Sequence, residues 1–180
     1  MSNYFYSLRL PFEFNKEIPD FKNLMHVVYD KSNVPELVNW LATVGVEIAH
    51  GEVFKKTPEQ NFTTRIHIDG RRLDNHAKIN FVVNSGKSKM CWWAVKEGHS
   101  WQEETTAIGT PYRWARREEC DLVAETEMHT AMLVNGGTFH NVEEVDIPRY
   151  CFSFRLAYSS NKQRVLWPEL FNIFKDYINE

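Results

Sequence analysis

The chain has 180 residues, 43% of them hydrophobic and 25% charged, with a formal net charge of 21 − 24 = −3. Those figures suit one globular domain over 1–180 with a sizeable core, and the acidic balance gives a phosphate backbone little to grip. No apolar run approaches a membrane span, and the first residues lack the basic and apolar stretches of a signal peptide.

Residues 3–10 are rich in aromatics and read as a strand stopped by Pro11, whereas 21–30 fits a short helix or a strand equally well. Pro35 suits a first helical position, and Leu37, Val38, Trp40 and Leu41 recur at helical spacing until Gly45, which predicts a helix over 34–44. Strands are predicted over 46–55, 62–69, 78–84 and 89–95, the last two joined as a hairpin by Ser85-Gly86-Lys87. Residues 96–120 mix Gly, Pro, Trp and charge without a period and read as a long loop. Residues 121–135 read as two strands or one bent one, Gly136-Gly137 as a tight turn, and 148–158 as the most regular strand. An amphipathic helix over 166–178 closes the chain. Many short strands with turn signals and outer helices predict a mainly β fold, a barrel or a sandwich, with a core over about 46–158. Cys91, Cys120 and Cys151 are far apart and odd in number, which points to a reducing, cytoplasmic setting rather than a disulfide framework.

Two strands carry candidate chemistry. On 62–69, His67 and Asp69 are two residues apart and emerge on one face. One more histidine beside them makes the two-histidine, one-carboxylate triad that cradles non-haem Fe(II). On 148–158, Arg149, Cys151, Ser153 and Arg155 share one face, and Tyr150, Phe152, Phe154 and Leu156 the other. The apolar face calls for the two helices; the polar face then points inward with two arginines, which need an acid to pair with. Arginine grips a carboxylate through a fork that lysine lacks, so this face is suited to holding an acid.

His140 lies nine residues before Arg149, giving the order His67-x-Asp69, His140, Arg149. In that order, and in Asn135-Gly-Gly-Thr-Phe-His-Asn-Val followed by Arg149-Tyr-Cys-Phe-Ser-Phe-Arg155, the chain resembles Fe(II)- and 2-oxoglutarate-dependent dioxygenases. The prolyl and aspartyl/asparaginyl hydroxylase relatives are the most similar. The resemblance implies a double-stranded β-helix, a jelly-roll, cupin-like barrel. It also implies iron on His67, Asp69 and His140, and 2-oxoglutarate held by Arg149. The implied reaction consumes O2 and hydroxylates an amino-acid side chain, free or in a protein, or a small metabolite, with release of succinate and CO2. Many members of that family have Ser two residues after the arginine; here it is Cys151, a weak donor, so Ser153 or another group is needed to help hold the carboxylate. Asn80, on the hairpin after the first ligands, and Arg155 are further candidates for the co-substrate pocket. Trp92, Trp93, Trp101 and the 96–120 stretch are candidates for the substrate mouth.

Several readings compete. His50-x-Glu52 is a second strand pair that could bind metal, although no glycine-bounded hairpin follows it. His26, His76, His99 and His129 read as surface residues or neighbours of the site. Arg155 could instead pair with an acid at the barrel end. Arg149-x5-Arg155 is also similar to the arginine pair of alkylated-base repair oxygenases, but Cys151 stands where those have Asn, and the net charge opposes a nucleic-acid partner. A metal- or carboxylate-binding barrel without turnover is the reading from outside enzymology. The aromatic N-terminal strand could pair between subunits, which leaves the oligomeric state open.

Overall fold

The computed structural model describes residues 4–61, 65–68, 77–105, 109, 111–128 and 131–179. Its strands in chain order are Phe5–Ser7 (β1), His26–Val28 (β2), Val46–Lys56 (β3), Ile66–Ile68 (β4), Ala77–Val83 (β5) and Lys89–Val95 (β6). Gln102–Thr105 (β7), Pro111–Ala115 (β8), Cys120–Glu127 (β9), Met132–Asn135 (β10), His140–Glu143 (β11) and Arg149–Tyr158 (β12) follow, with helices at Pro35–Thr43 (α1) and Trp167–Phe174 (α2). They form two antiparallel sheets of six strands, in the orders β1-β10-β5-β12-β3-β2 and β7-β8-β4-β11-β6-β9. The fold is thus mainly β with few helices, consistent with a β-sandwich.

Strand β12 organises the first sheet, pairing along its length with β3 and with β5. Its alternation separates two environments. Phe152, Phe154 and Leu156 are fully buried on the outer face, against Leu37, Trp40 and Leu41 of α1 and Trp167, Leu170 and Phe174 of α2. These helix residues recur at i, i+3, i+4 or i+7, so each short helix offers one apolar stripe. Burying each such side chain contributes about 1.5–3 kcal/mol, more than helix propensity supplies over eight or nine residues. Pro35 starts α1, and Gly45 at φ +76° lets the chain turn straight into β3. At Gly51 a Cβ would lie 2.4 Å from the Tyr29 carbonyl oxygen and 3.0 Å from the Phe154 ring, so only glycine lets β2 and β12 close over β3 there.

The inner faces of the sheets meet each other. Met90 and Trp92 of β6 pack with Met132 and Val134 of β10 at one side of this interior. The rest of it is polar, because β12, β3 and β5 turn their polar alternates inward.

Two expectations need correction. The 96–120 stretch is not a plain loop: it holds the β7–β8 hairpin, which extends the second sheet beyond β4. All four residues of β7 are exposed, so no hydrophobic alternation marks it in the sequence. The last α-helix ends at Phe174 and passes into a single 3-10 turn over Lys175–Tyr177, rather than running as one α-helix to 178. There the chain turns to pair with the N-terminal segment, Asn179 N–H donating to the Ser7 carbonyl at 2.9 Å and Arg9 N–H to that of Tyr177 at 2.8 Å. Residues 121–135 are two strands in different sheets, β9 and β10, and the ambiguous 21–30 contributes the edge strand β2. Among the described residues no helix is long and apolar enough to cross a membrane.

Candidate active site

A cavity of about 270 Å³ opens between the sheets. One wall is β4 and β11, carrying His67 and His140; the other is β3, β12 and β5, carrying Lys56, Arg149, Ser153 and Asn80. Sheet register explains the convergence. His67 and His140 are direct cross-strand partners, so alternation sends both rings to the same face, with centroids 4.8 Å apart. His67 Nδ1 lies 2.9 Å from the Arg65 carbonyl oxygen, and His140 Nδ1 lies 2.8 Å from that of Thr138. In each case the carbonyl is two residues back along the strand. A carbonyl only accepts, so each Nδ1 carries a proton. An outer hydrogen bond of this kind also orients the rings of metal-binding histidines. Asp69, the expected third ligand, lies outside the described residues. Among the described residues no three His, Cys, Asp or Glu side chains converge as a metal cluster.

Arg149 is buried at the closed end of the cavity, 4% exposed. Its Nη2 donates to Met128 Sδ at 3.6 Å, its Nε has no hydrogen-bond partner among the described residues, and the Cys151 thiol lies beside it. Sulfur is a poor acceptor for a guanidinium. Burial therefore draws the Arg149 pKa down and pushes that of the enclosed Cys151 thiol up. No acid among the described residues balances this cation.

A second cation, missed by the sequence reading, stands beside it. Lys56 is the cross-strand partner of Arg149, is buried, and donates its Nζ to the Val142 carbonyl. Burial, and after it the Arg149 charge, lowers the Lys56 pKa from its ordinary value of 10.5 to about 8. The signal was available: Lys56 continues the alternation of His50, Glu52 and Phe54, but the predicted strand stopped one residue short. Lys78 of β5 also faces the cavity, 6.0 Å from the Phe54 ring centroid, and no Asp or Glu among the described residues lines it. Lys55, Lys56, Lys78 and Arg149 thus place four basic side chains around one cavity.

The other expected residues divide. Asn80 lies on the same wall as Ser153, its cross-strand partner, and its Oδ1 is buried with no hydrogen-bond partner among the described residues. Arg155 does not line the cavity; it stands two residues farther along β12, a displacement of about 7 Å. Trp92 is no mouth residue: it is fully buried, stacks on Phe5 at 5.2 Å, and donates Nε1 to the Asn135 carbonyl at 3.3 Å. Trp93 points to the other face of β6, into a small core with Cys91 and Cys120, where its Nε1 donates to Asn141 Oδ1 at 2.9 Å. Trp101 is exposed, under the Arg113 guanidinium. His26, read as a surface residue or a neighbour of the site, lines the cavity beside Phe54; His99 lies at the surface, 3.8 Å from Glu119. His76 and His129 lie outside the described residues. A larger groove of about 610 Å³ involves the opposite face of the second sheet, where Arg117 already pairs with Glu143.

Comparison with known proteins adds no relative: no family model matches the chain, no curated protein matches it, and no solved structure matches it.

Proposed function

We propose that this protein is an Fe(II)- and 2-oxoglutarate-dependent dioxygenase that hydroxylates an amino-acid side chain or another small metabolite. The observation that carries the reading is one cavity that joins a registered His67–His140 pair to a buried arginine with no carboxylate partner among the described residues. The strand order supports the corresponding fold. β3, β5, β10 and β12 fall in the first sheet and β4, β6, β9 and β11 in the second, as eight strands wound into a double-stranded β-helix would. His67 and His140, with Asp69 two residues along from His67, are the residues to hold the iron. Bound there with 2-oxoglutarate and O2, the metal would supply the oxidation of a substrate C–H bond, leaving succinate and CO2.

The chain's own residues bind and orient. The Arg149 fork and the Lys56 ammonium receive the distal carboxylate of 2-oxoglutarate, so Lys56 takes over the task that Cys151 performs poorly. Asn80 and Ser153 supply polar groups along the wall, and Met90 and Val142 keep the side facing them apolar. Anaerobic titration with Fe(II) and 2-oxoglutarate should develop the weak visible charge-transfer band of the chelate. A folded protein that gives no band would overturn the reading; iron or carboxylate binding without succinate formation would favour a non-catalytic barrel.

Lys56 makes the binding pH-dependent. With a pKa near 8 in the free protein, it is charged below that pH and must take up a proton to meet the anion above it. Affinity for 2-oxoglutarate should then fall above pH 8, by up to about tenfold per pH unit. Calorimetry near pH 9 in buffers of different ionisation enthalpy should report close to one proton taken up. The same depressed value makes the ligand-free protein gain stability between about pH 8 and 10.5, where the unfolded chain still holds the proton. In Lys56→Met the proton uptake should vanish; an unchanged count would remove Lys56 from the site.

A further inference from the structure

Beyond the cavity, the inner face of the first sheet carries charged groups that co-substrate binding does not use. Arg155 of β12 is the cross-strand partner of His50 on β3 and of Lys78 on β5, and Glu52 is that of Ser153. Alternation puts Arg155, His50 and Glu52 on the same face as Arg149. Arg155 is half-buried, with its Nε sealed from solvent, and among the described residues it makes no hydrogen bond or ion pair. Glu52 is its diagonal neighbour, about 7–8 Å away at the backbone, within reach of a long side chain. Yet the Glu52 carboxylate turns instead to His50, whose Nε2 lies 3.4 Å away.

An arginine and a glutamate this close, on one partly enclosed face, would ordinarily close on each other. Standing apart, they present a positive fork and a negative carboxylate side by side. A free amino acid carries the complementary pair on one carbon. Its carboxylate suits the guanidinium, by charge and by bidentate geometry. Its ammonium, a donor only, suits the carboxylate. A metal ion at His50 and Glu52 would instead face Arg155, a cation, across the strand pair.

We propose that Arg155 and Glu52 recognise the α-carboxylate and α-ammonium groups of a free amino acid, with His50 as a positioning residue for Glu52. This makes free amino acids the prime substrate class and rests on the oxygenase reading of the adjoining cavity. Arg155 thereby serves the prime substrate rather than 2-oxoglutarate, whose cavity it does not line.

The test is thermal-shift and calorimetric binding of each of the twenty proteinogenic L-amino acids to the purified chain, alone and with 2-oxoglutarate. Any that binds is compared with its N-acetyl and carboxamide derivatives. At least one free amino acid should bind saturably. Capping either group, or introducing Arg155→Gln or Glu52→Gln, should each weaken it roughly 10- to 100-fold. Affinity for 2-oxoglutarate should stay unchanged in both variants. If Arg155→Gln does not fold, Glu52→Gln, at a partly exposed position, carries the comparison. The proposal is overturned if no amino acid binds, if the capped forms bind as well, or if Arg155→Gln weakens 2-oxoglutarate instead. Amino-acid binding without an Fe(II)–2-oxoglutarate chelate would sink the oxygenase reading and leave this site standing. The chelate without amino-acid binding would do the reverse.

Discussion

An Arg149→Met variant is expected to lose 2-oxoglutarate binding and, as the ligand-free protein, to become more stable. Both effects come from one fact: the guanidinium is 4% exposed and its protein neighbours are two sulfurs rather than a carboxylate. A buried cation without a counter-charge costs several kcal/mol in desolvation, and an apolar side chain of similar length removes that cost. Replacing a buried charge with a well-packed apolar group has given about 1–4 kcal/mol elsewhere, and one kcal/mol moves the midpoint of a chain this size by about 2–4 °C. A rise of several degrees in Tm should therefore accompany the loss of function. On the binding side, removing one partner of a buried, hydrogen-bonded charge pair costs about 2–5 kcal/mol, or roughly 30- to several-thousand-fold in Kd. Arg149→Lys should fall between, since it keeps the charge and loses the fork. A methionine variant that bound 2-oxoglutarate as the parent does would end the assignment. A structural arginine would also behave differently, because losing it would lower Tm rather than raise it.

How far the sequence carried this reading depended on periodicity. The alternation of 148–158 correctly assigned both faces of β12, and with them the helices on the outside and the arginines on the inside. Helix α1 was legible because a proline, a spaced apolar stripe and a glycine all agree over a short span. The β7–β8 hairpin was not legible, because Gln102–Thr105 is held by backbone pairing to β8 and has no buried face to betray it. The α-helix was overestimated by a few residues: Lys175–Tyr177 tightens into a 3-10 turn, and from Ile178 docking against the N-terminal segment draws the chain into extended backbone. In the site, His67, His140 and Arg149 stood out as residue types, whereas Lys56 did not. A lysine at a strand end reads as a solvated terminus, and only the Arg149–Lys56 register shows that it is buried beside another cation.

Removing His140 or Asp69 should abolish Fe(II) binding, while Glu52→Ala and His50→Ala should leave it intact. The two candidate pairs look alike in sequence, each a histidine and an acid two residues apart on a strand. They differ in what surrounds the histidine. His67 faces a second imidazole 4.8 Å away, and both rings are anchored through Nδ1 to carbonyl oxygens on one wall of the cavity. His50 turns its Nε2 toward its own neighbour Glu52 at 3.4 Å and has Arg155 as its cross-strand partner. A dication finds two imidazoles at the first position and meets a guanidinium at the second. Losing even an outer partner of a metal-bound histidine costs 10- to 100-fold in affinity, so losing a ligand should cost at least about 100-fold. The charge-transfer band of the anaerobic Fe(II)–2-oxoglutarate chelate reads this directly. It should be absent from Asp69→Ala and His140→Ala, and present at parental intensity in Glu52→Ala. A band that survives Asp69→Ala and disappears with Glu52→Ala would move the metal to β3, and Arg149 would then bind its anion without iron beside it.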